Sequence, residues 1–408
     1  MHQPFRFIHA SDLHLDRPPR GLAEVPDHLR GALVDAPYRA AERIFDAALA
    51  QRVDFVVLAG DILDPLMAGP RGIVFLESQF ERLQAAGVGV YWAGGREDHF
   101  ERWLELPMPP NVVRFPLDRV QRIVHSRGGE PIVQILGTSC AERRLVRTAD
   151  FRPDVSGQFA VAVAYGNLDA DEVLRHSINF WALGGEHDRT SVAAGPLAAH
   201  YPGTPQGRGP QEPGPRGCTL VQVDEAMQCR TGFIVTDAVR FHREQVTVTE
   251  GTTNEQLYQV LDERTRELLT DPFGPDWFIE WSISGCRRLI VELDRGRLAT
   301  ELATRLRADH GGKRPAAWTV TITPEVPEAV PAERYDDDTL LGEFLRTVRH
   351  YSENAGEPLD LEVELSARHA AGYVGAAVTL NEPAERQRVL ADVARLGLEL
   401  LSPEERGS

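Results

Sequence analysis

Lysine is almost missing from this chain: Lys313 is the only one in 408 residues. Nearly every cation is therefore arginine, a residue suited to two-pronged phosphate contacts. A choice so uniform along the whole chain reads first as genome composition. Cysteine is scarce as well. Cys140, Cys218, Cys229 and Cys286 lie far apart with no C-x-x-C among them, which excludes a disulfide framework or a zinc ribbon and leaves buried thiols as the expectation. Long apolar runs are lacking too. Nothing approaches the roughly 20 residues needed to cross a bilayer, and no apolar run follows a basic N-terminal region, so the expectation is a soluble cytoplasmic protein with no membrane association. Positive charge is in deficit: a net charge of −17 argues against a surface that binds nucleic acid all over by releasing counterions.

The deficit is uneven. Residues 1–240 carry 25 basic and 30 acidic side chains, and the rest of the chain carries 19 and 31. A local basic groove in the first half stays open, for instance from Arg17 and Arg20, or from Arg143, Arg144, Arg147 and Arg152. With 42% hydrophobic and 26% charged residues the composition is that of an ordinary globular protein, long enough for two domains.

The first half alternates short apolar runs with helical patterns. "FRFIHA" at 5–10, "DFVVLAGD" at 54–61 and "VGVYWAGG" at 88–95 read as strands. Between the first two, Ala41, Ile44, Phe45, Ala48 and Leu49 follow the spacing of one helix face. A second helical pattern covers 74–87, and further apolar runs stand at 132–138, 159–165, 178–183 and 218–223. The expected fold class is α/β, a sheet covered by helices. The Pro/Gly-rich stretch 201–217 reads as a loop inserted within that domain. A boundary is expected near 244–256, giving domains 1–245 and 246–408. The second is expected to be a smaller α+β unit, with helices at 254–269, 296–309, 339–353 and 383–396 and strands near 277–283, 287–293, 316–323, 359–365 and 373–380. Residues 324–339 read as an exposed connector, and Asp336, Asp337 and Asp338 as a cap for the helix after it.

The chemistry-bearing residues all follow predicted strands, where open α/β sheets place their ligands. "SDLHL" supplies Asp12 and His14, "GDILD" supplies Asp61 and Asp64, and "GGEHD" supplies His187. Asp and His two apart on an extended segment point the same way and can share one ion. Singly, each motif is weak, because an Asp after a strand is usually a turn former or a helix cap. In this order they are specific. They resemble the calcineurin-like metallophosphoesterase superfamily, and within it the DNA-repair exonuclease branch of the SbcD and YhaO kind, through most of residues 5–245. The second half is similar to that branch's capping domain.

The resemblance implies two divalent ions, usually manganese, about 3.5–4 Å apart. It assigns Asp12, His14 and His187 to the first ion and Asp61 to both. The second ion would need the Asn of a Gly-Asn-His-Asp turn, a His ending the strand 159–165, and the first His of Gly-His-x-His. Here those places hold Gly95 and Arg96 within "GGREDHF", Tyr165, and Gly185. The turn's catalytic His is also replaced, so no catalytic residue is assigned, and Arg96, Glu97 and Asp98 occupy its region. One manganese ion, slow or absent phosphodiester hydrolysis, and a nuclease-like protein impaired as a two-metal enzyme are the expected outcome. Alternatives are an active manganese-dependent exonuclease whose second site is rebuilt from Glu97, Asp98, His99, Glu186 or Asp188, a metal-free scaffold, and a small-molecule phosphoesterase. The implied partners are DNA ends, a coiled-coil ATPase subunit of the SbcC or YhaN kind, and a second copy of the chain. Tyr165 and Trp181 could stack a base, although aromatics on buried strands more often serve the core.

Overall fold

The computed structural model describes residues 2–99, 108–117, 119–173, 177–193, 198–325, 330, 332–354 and 383–401. β1 (Phe5–Ala10), β2 (Phe55–Ala59) and β3 (Gly89–Ala93) run parallel and are buried on both faces, which is why their sequences are near-continuous apolar runs. They lie in a six-stranded sheet with β4 (Val112–Arg114), β11 (Gly217–Val223) and β12 (Cys229–Val235), in the order β12-β11-β1-β2-β3-β4. A second six-stranded sheet has the order β5-β6-β7-β8-β10-β9. Its strands are β5 (Gln121–Arg127), β6 (Glu130–Thr138), β7 (Phe159–Tyr165), β8 (Phe180–Gly184), β9 (Thr190–Ala193) and β10 (Ala198–Tyr201).

Strand alternation sorts the core into layers. Phe7, Phe55, Val57 and Tyr91 meet Ile135, Val161, Val163 and Phe180 of the second sheet. The intervening residues Ile8, Val56, Leu58 and Trp92 pack instead against Ile44, Phe45, Leu76 and Phe80. Those come from helices α1 (Asp27–Ala50) and α2 (Gly69–Ala85). On the far face of the second sheet Trp181 is fully buried against Phe151, with the short α3 (Ala170–Val173) beside it.

A parallel three-stranded sheet follows: β13 (Val239–Thr247), β14 (Asp276–Ser284) and β15 (Ala317–Pro324). Helices α4 (Asn254–Leu268), α5 (Arg287–Asp294) and α6 (Arg297–His310) cover it. α5 corrects the sequence reading of 287–293 as a strand. "RRLIVELD" is apolar enough to suggest one, yet Leu289 and Leu293, four apart on one helix face, are the residues that reach the core. α4 opens with a reciprocal cap between Thr253 and Gln256, the strongest local start signal in this part of the chain.

By contacts the chain forms two compact units, Met1–Pro324 and Glu325–Ser408. The boundary expected near 246 falls at the end of β13. This seam is crossed by α1, whose Leu29, Leu33 and Ala36 pack with Val239, Phe241 and Phe278, and by His28, whose ring nitrogen lies 2.8 Å from the Gly311 carbonyl. The second unit contains α7 (Glu333–Asp336), α8 (Leu340–Glu353) and α9 (Pro383–Leu401), with a core around Leu341, Leu345, Val348 and Leu390. Thr339 caps α8 by accepting the Gly342 N–H at 3.2 Å; the expected cap at Asp336–Asp338 is thus moved one residue on, because the hydroxyl reaches the open amide. The strands expected at 359–365 and 373–380 lie outside the described residues.

Candidate metal centre

The C-terminal ends of β1, β2, β7 and β8 meet, and the loops after β1 and β2 are held in strained backbone. Among the described residues five non-glycine residues have positive φ, and three of them are Asp12 (54°), His14 (43°) and Asp61 (53°). Such a conformation costs on the order of 1–3 kcal/mol per residue and persists where surrounding structure imposes it. Here the loops after β1 and β2 clasp each other: Asp12 N–H donates to the Gly60 carbonyl, His14 N–H to the Asp61 carbonyl, and Leu15 N–H to the Ile62 carbonyl, at 2.9–3.1 Å.

Asp12, His14 and His187 each place one ligand atom within 4.8 Å of the others. Asp12 Oδ2 accepts from the Ser11 hydroxyl at 2.6 Å and from Gly185 N–H at 3.0 Å. Among the described residues its Oδ1, buried, has no hydrogen-bond partner, nor has either ring nitrogen of His14. A buried polar atom without a partner costs roughly 1–3 kcal/mol, so three together mark a place shaped for something besides protein. Burial pushes the Asp12 carboxyl up to about 7 against the Ser11 hydrogen bond, and the Asp61 charge adds to the rise. Burial, then Arg208 and His187, holds His14 well below the usual imidazole range. A carboxylate oxygen and a neutral imidazole nitrogen are ligands that a divalent ion takes, and the mixed oxygen and nitrogen set suits manganese, iron or zinc. The residues fit an ion.

His187 is oriented from outside. Its Nδ1 lies 3.0 Å from Glu212 Oε1 and 2.8 Å from Arg208 Nη2, leaving Nε2 for an ion. Glu212 also accepts from Arg208 N–H and Nε, at 3.0 and 3.1 Å. Burial would raise the Glu212 carboxyl, but the His187 hydrogen bond and the Arg208 charge outweigh it and bring it down to about 2. Sequence reasoning missed Glu212. It sits in the loop 202–216, most of which is buried. Gln206 stitches that loop to β13 through Ala238 N–H at 2.8 Å and the Val239 carbonyl at 2.6 Å.

Asp61 stands outside the three-residue group. Its Oδ1 accepts Glu97 N–H at 2.9 Å and its Oδ2 accepts the Tyr165 hydroxyl at 2.8 Å. The Tyr165 ring lies among glycines: a Cβ on Gly60 would come within 2.5 Å of it, one on Gly95 within 2.7 Å, and one on Gly185 within 3.0 Å. Asp98 receives four donors. Oδ1 takes Asp61 N–H (2.9 Å) and Gly95 N–H (2.6 Å), while Oδ2 takes Ile62 N–H and Trp92 Nε1, both at 2.9 Å. Burial and then the Asp61 charge push Asp98 up to about 7. Glu97 is held by Arg17 at 2.7 Å and Arg96 at 3.1 Å. Glu186 is paired with Arg143, Asp188 with Arg216 at 2.9 Å, and His99 is partly buried at the end of the same turn. Asp64 Oδ1 accepts Leu66 N–H at 2.9 Å in the turn before α2.

Residues 5–128 match the calcineurin-like phosphoesterase family, and the mixed α/β architecture with its two six-stranded sheets is consistent with that match. Among individual proteins, the chain is 28% identical over 300 residues to the uncharacterized metallophosphoesterase YhaO of Bacillus subtilis, a match covering 67% of this chain and 73% of that one. Solved structures that it resembles include a dimetal phosphatase from Danio rerio, at 12% identity and a TM-score of 0.34 over 57% of this chain and 99% of that one. A conserved uncharacterized protein from Streptococcus pneumoniae matches at 14% identity and a TM-score of 0.28 over 58% and 92%. Among the described residues no helix is long and apolar enough to cross a membrane.

Proposed function

We propose that this protein is a metallophosphoesterase of the exonuclease-like branch that holds one divalent ion, manganese, at Asp12, His14 and His187, and that it is weak or inactive as a two-metal phosphodiesterase. The observation that carries this reading is the trio of ligand atoms within 4.8 Å, with Asp12 Oδ1 and both His14 nitrogens buried and unpartnered. A bound ion there supplies Lewis-acid polarisation of a phosphoryl oxygen. The chain's own part is to hold His14 neutral, fix the His187 ring through Glu212, and present Asp12 from a backbone already strained into place.

The surroundings of Asp61 support a single ion. Its two oxygens already accept hydrogen bonds from Glu97 N–H and the Tyr165 hydroxyl, and the phenol ring fills the space between Gly60, Gly95 and Gly185. The carboxylates that could rebuild a second site are engaged elsewhere: Asp98 by four donors, Glu97 by two arginines, Glu186 by Arg143.

Calorimetric titration of metal-free protein with manganese, beside His187→Ala, tests the proposal. One ion per chain, lost in the variant, is the expected result. Two ions would overturn the single-ion reading in favour of a rebuilt second site, and none would overturn the metal centre altogether.

A further inference from the structure

The loop after His14 and the loop that carries Glu212 run side by side. Arg20 N–H donates to the Arg208 carbonyl at 2.7 Å, and they are so close at Gly209 that a Cβ there would stand 2.6 Å from the Arg20 carbonyl oxygen. Along their seam lies a cleft of about 440 Å³ lined by Arg17, Arg20, Arg208 and Glu212. In a chain of net charge −17, three guanidinium groups converge here.

The cleft adjoins the metal centre through two of these residues. Arg17 N–H donates to the His14 carbonyl at 2.9 Å, and Arg208 Nη2 is 2.8 Å from His187 Nδ1. The cleft's one carboxylate is already committed, since Glu212 binds Arg208 and His187. Arg17 divides its guanidinium between Glu97 at 2.7 Å and Asp16 at 3.5 Å. Arg20 is different. Its side chain is exposed and forms no ion pair among the described residues, so the fold makes no use of its charge. The unmatched charge of Arg20 beside two other guanidinium groups is relieved by an anion shared among them. The planar fork of arginine matches a phosphate's oxygens.

We propose that this cleft binds a second phosphate of the substrate, next to the phosphoryl group placed at Asp12, His14 and His187, with Arg20 as its principal contact. The proposal rests on the phosphoesterase reading of that centre. A strand of polynucleotide and a small diphosphorylated compound both present such a group. A monoester of an uncharged alcohol does not.

Binding tests it without turnover. The full chain is titrated, with and without manganese, with a labelled phosphorothioate oligothymidylate, with thymidine diphosphate and with inorganic phosphate. Arg20→Ala should weaken the oligothymidylate, the diphosphate or both by about tenfold, as expected for a lost hydrogen bond to a charged group. Arg20→Lys should recover part of the loss, and inorganic phosphate should bind Arg20→Ala as it binds the parent. Loss for the oligothymidylate alone identifies a strand as the source, and loss for the diphosphate alone a small compound. Arg230→Ala is the control, because it removes the same charge from a separate cleft shared with Arg6, Arg52 and Arg127. An equal loss there would reduce the effect to general attraction and overturn the proposal. So would failure of the parent to bind either two-phosphate probe, or binding that Arg20→Ala leaves unchanged. If manganese fails to bind while the Arg20 dependence persists, the metal reading falls and the anion cleft stands.

Discussion

The two sides of the candidate site differ in how their polar atoms are satisfied. On the side of Asp12, His14 and His187, three buried polar atoms have no protein partner among the described residues. On the side of Asp61 and Asp98, six donors meet four carboxylate oxygens, and an aromatic ring fills the space between. One side sacrifices stability for what it can bind, and the other behaves as core. A site open to a ligand on one side can stay intact without that ligand because the other side is closed by protein.

Breaking the closed side should have the largest effect. Asp98→Ala leaves the amides of Asp61, Ile62 and Gly95 and the Trp92 indole without their acceptor, and should cost roughly 4 kcal/mol or more by denaturant titration, since each stranded donor costs about 1–3 kcal/mol. A loss below about 1 kcal/mol, the size of one ordinary hydrogen bond, would mean that this side is not the brace described. Next comes Glu212→Gln, which removes the carboxylate that orients His187 while keeping a similar shape. Manganese affinity should fall about 10- to 100-fold by calorimetry with the circular dichroism spectrum unchanged; unaltered affinity would mean that Glu212 does not orient the His187 ring. Tyr165→Phe removes one hydrogen bond from Asp61 and should cost about 1–2 kcal/mol, measured by the same denaturant titration, with the manganese stoichiometry still one. The smallest effect on stability should be that of Asp12→Asn in metal-free protein. The amide oxygen can keep the bonds from Ser11 and Gly185 while a buried charge is removed, so the change should lie within about 1 kcal/mol even as manganese binding disappears. A large loss there would make Asp12 a structural residue rather than a ligand.

Much of the fold could be read from the chain because β1, β2, β3, β7 and β8 are buried on both faces and appear as unbroken apolar runs. β5 and β12 could not, because "QRIVHSR" and "CRTGFIV" are largely exposed and carry too little apolar pattern to stand out. α5 was misread for the opposite reason, its residues being apolar enough to imitate a strand. In the site, Asp12, His14 and His187 were legible because each follows a strand end, and parallel strands bring such ends to one rim whatever lies between them. Glu212 was not, for it reaches His187 from a loop with no periodicity. The role of Tyr165 was half legible. The resemblance singles it out as a departure from the family pattern, and the glycines around its ring show only in the structure how the phenol is packed.

α1 has a practical consequence. It spans 24 residues, about 36 Å of helix, with Leu29 and Leu33 against the three-stranded sheet and Ile44 and Phe45 against the first sheet. A shortened gene ending at residue 245 would cut β13 two residues short and remove β14 and β15, stripping one end of this helix of its cover and presenting an oily stripe to water. Anyone seeking the first unit by itself should therefore carry the chain through Pro324, and should read insolubility of a shorter version as a cutting error rather than as evidence about the metal centre.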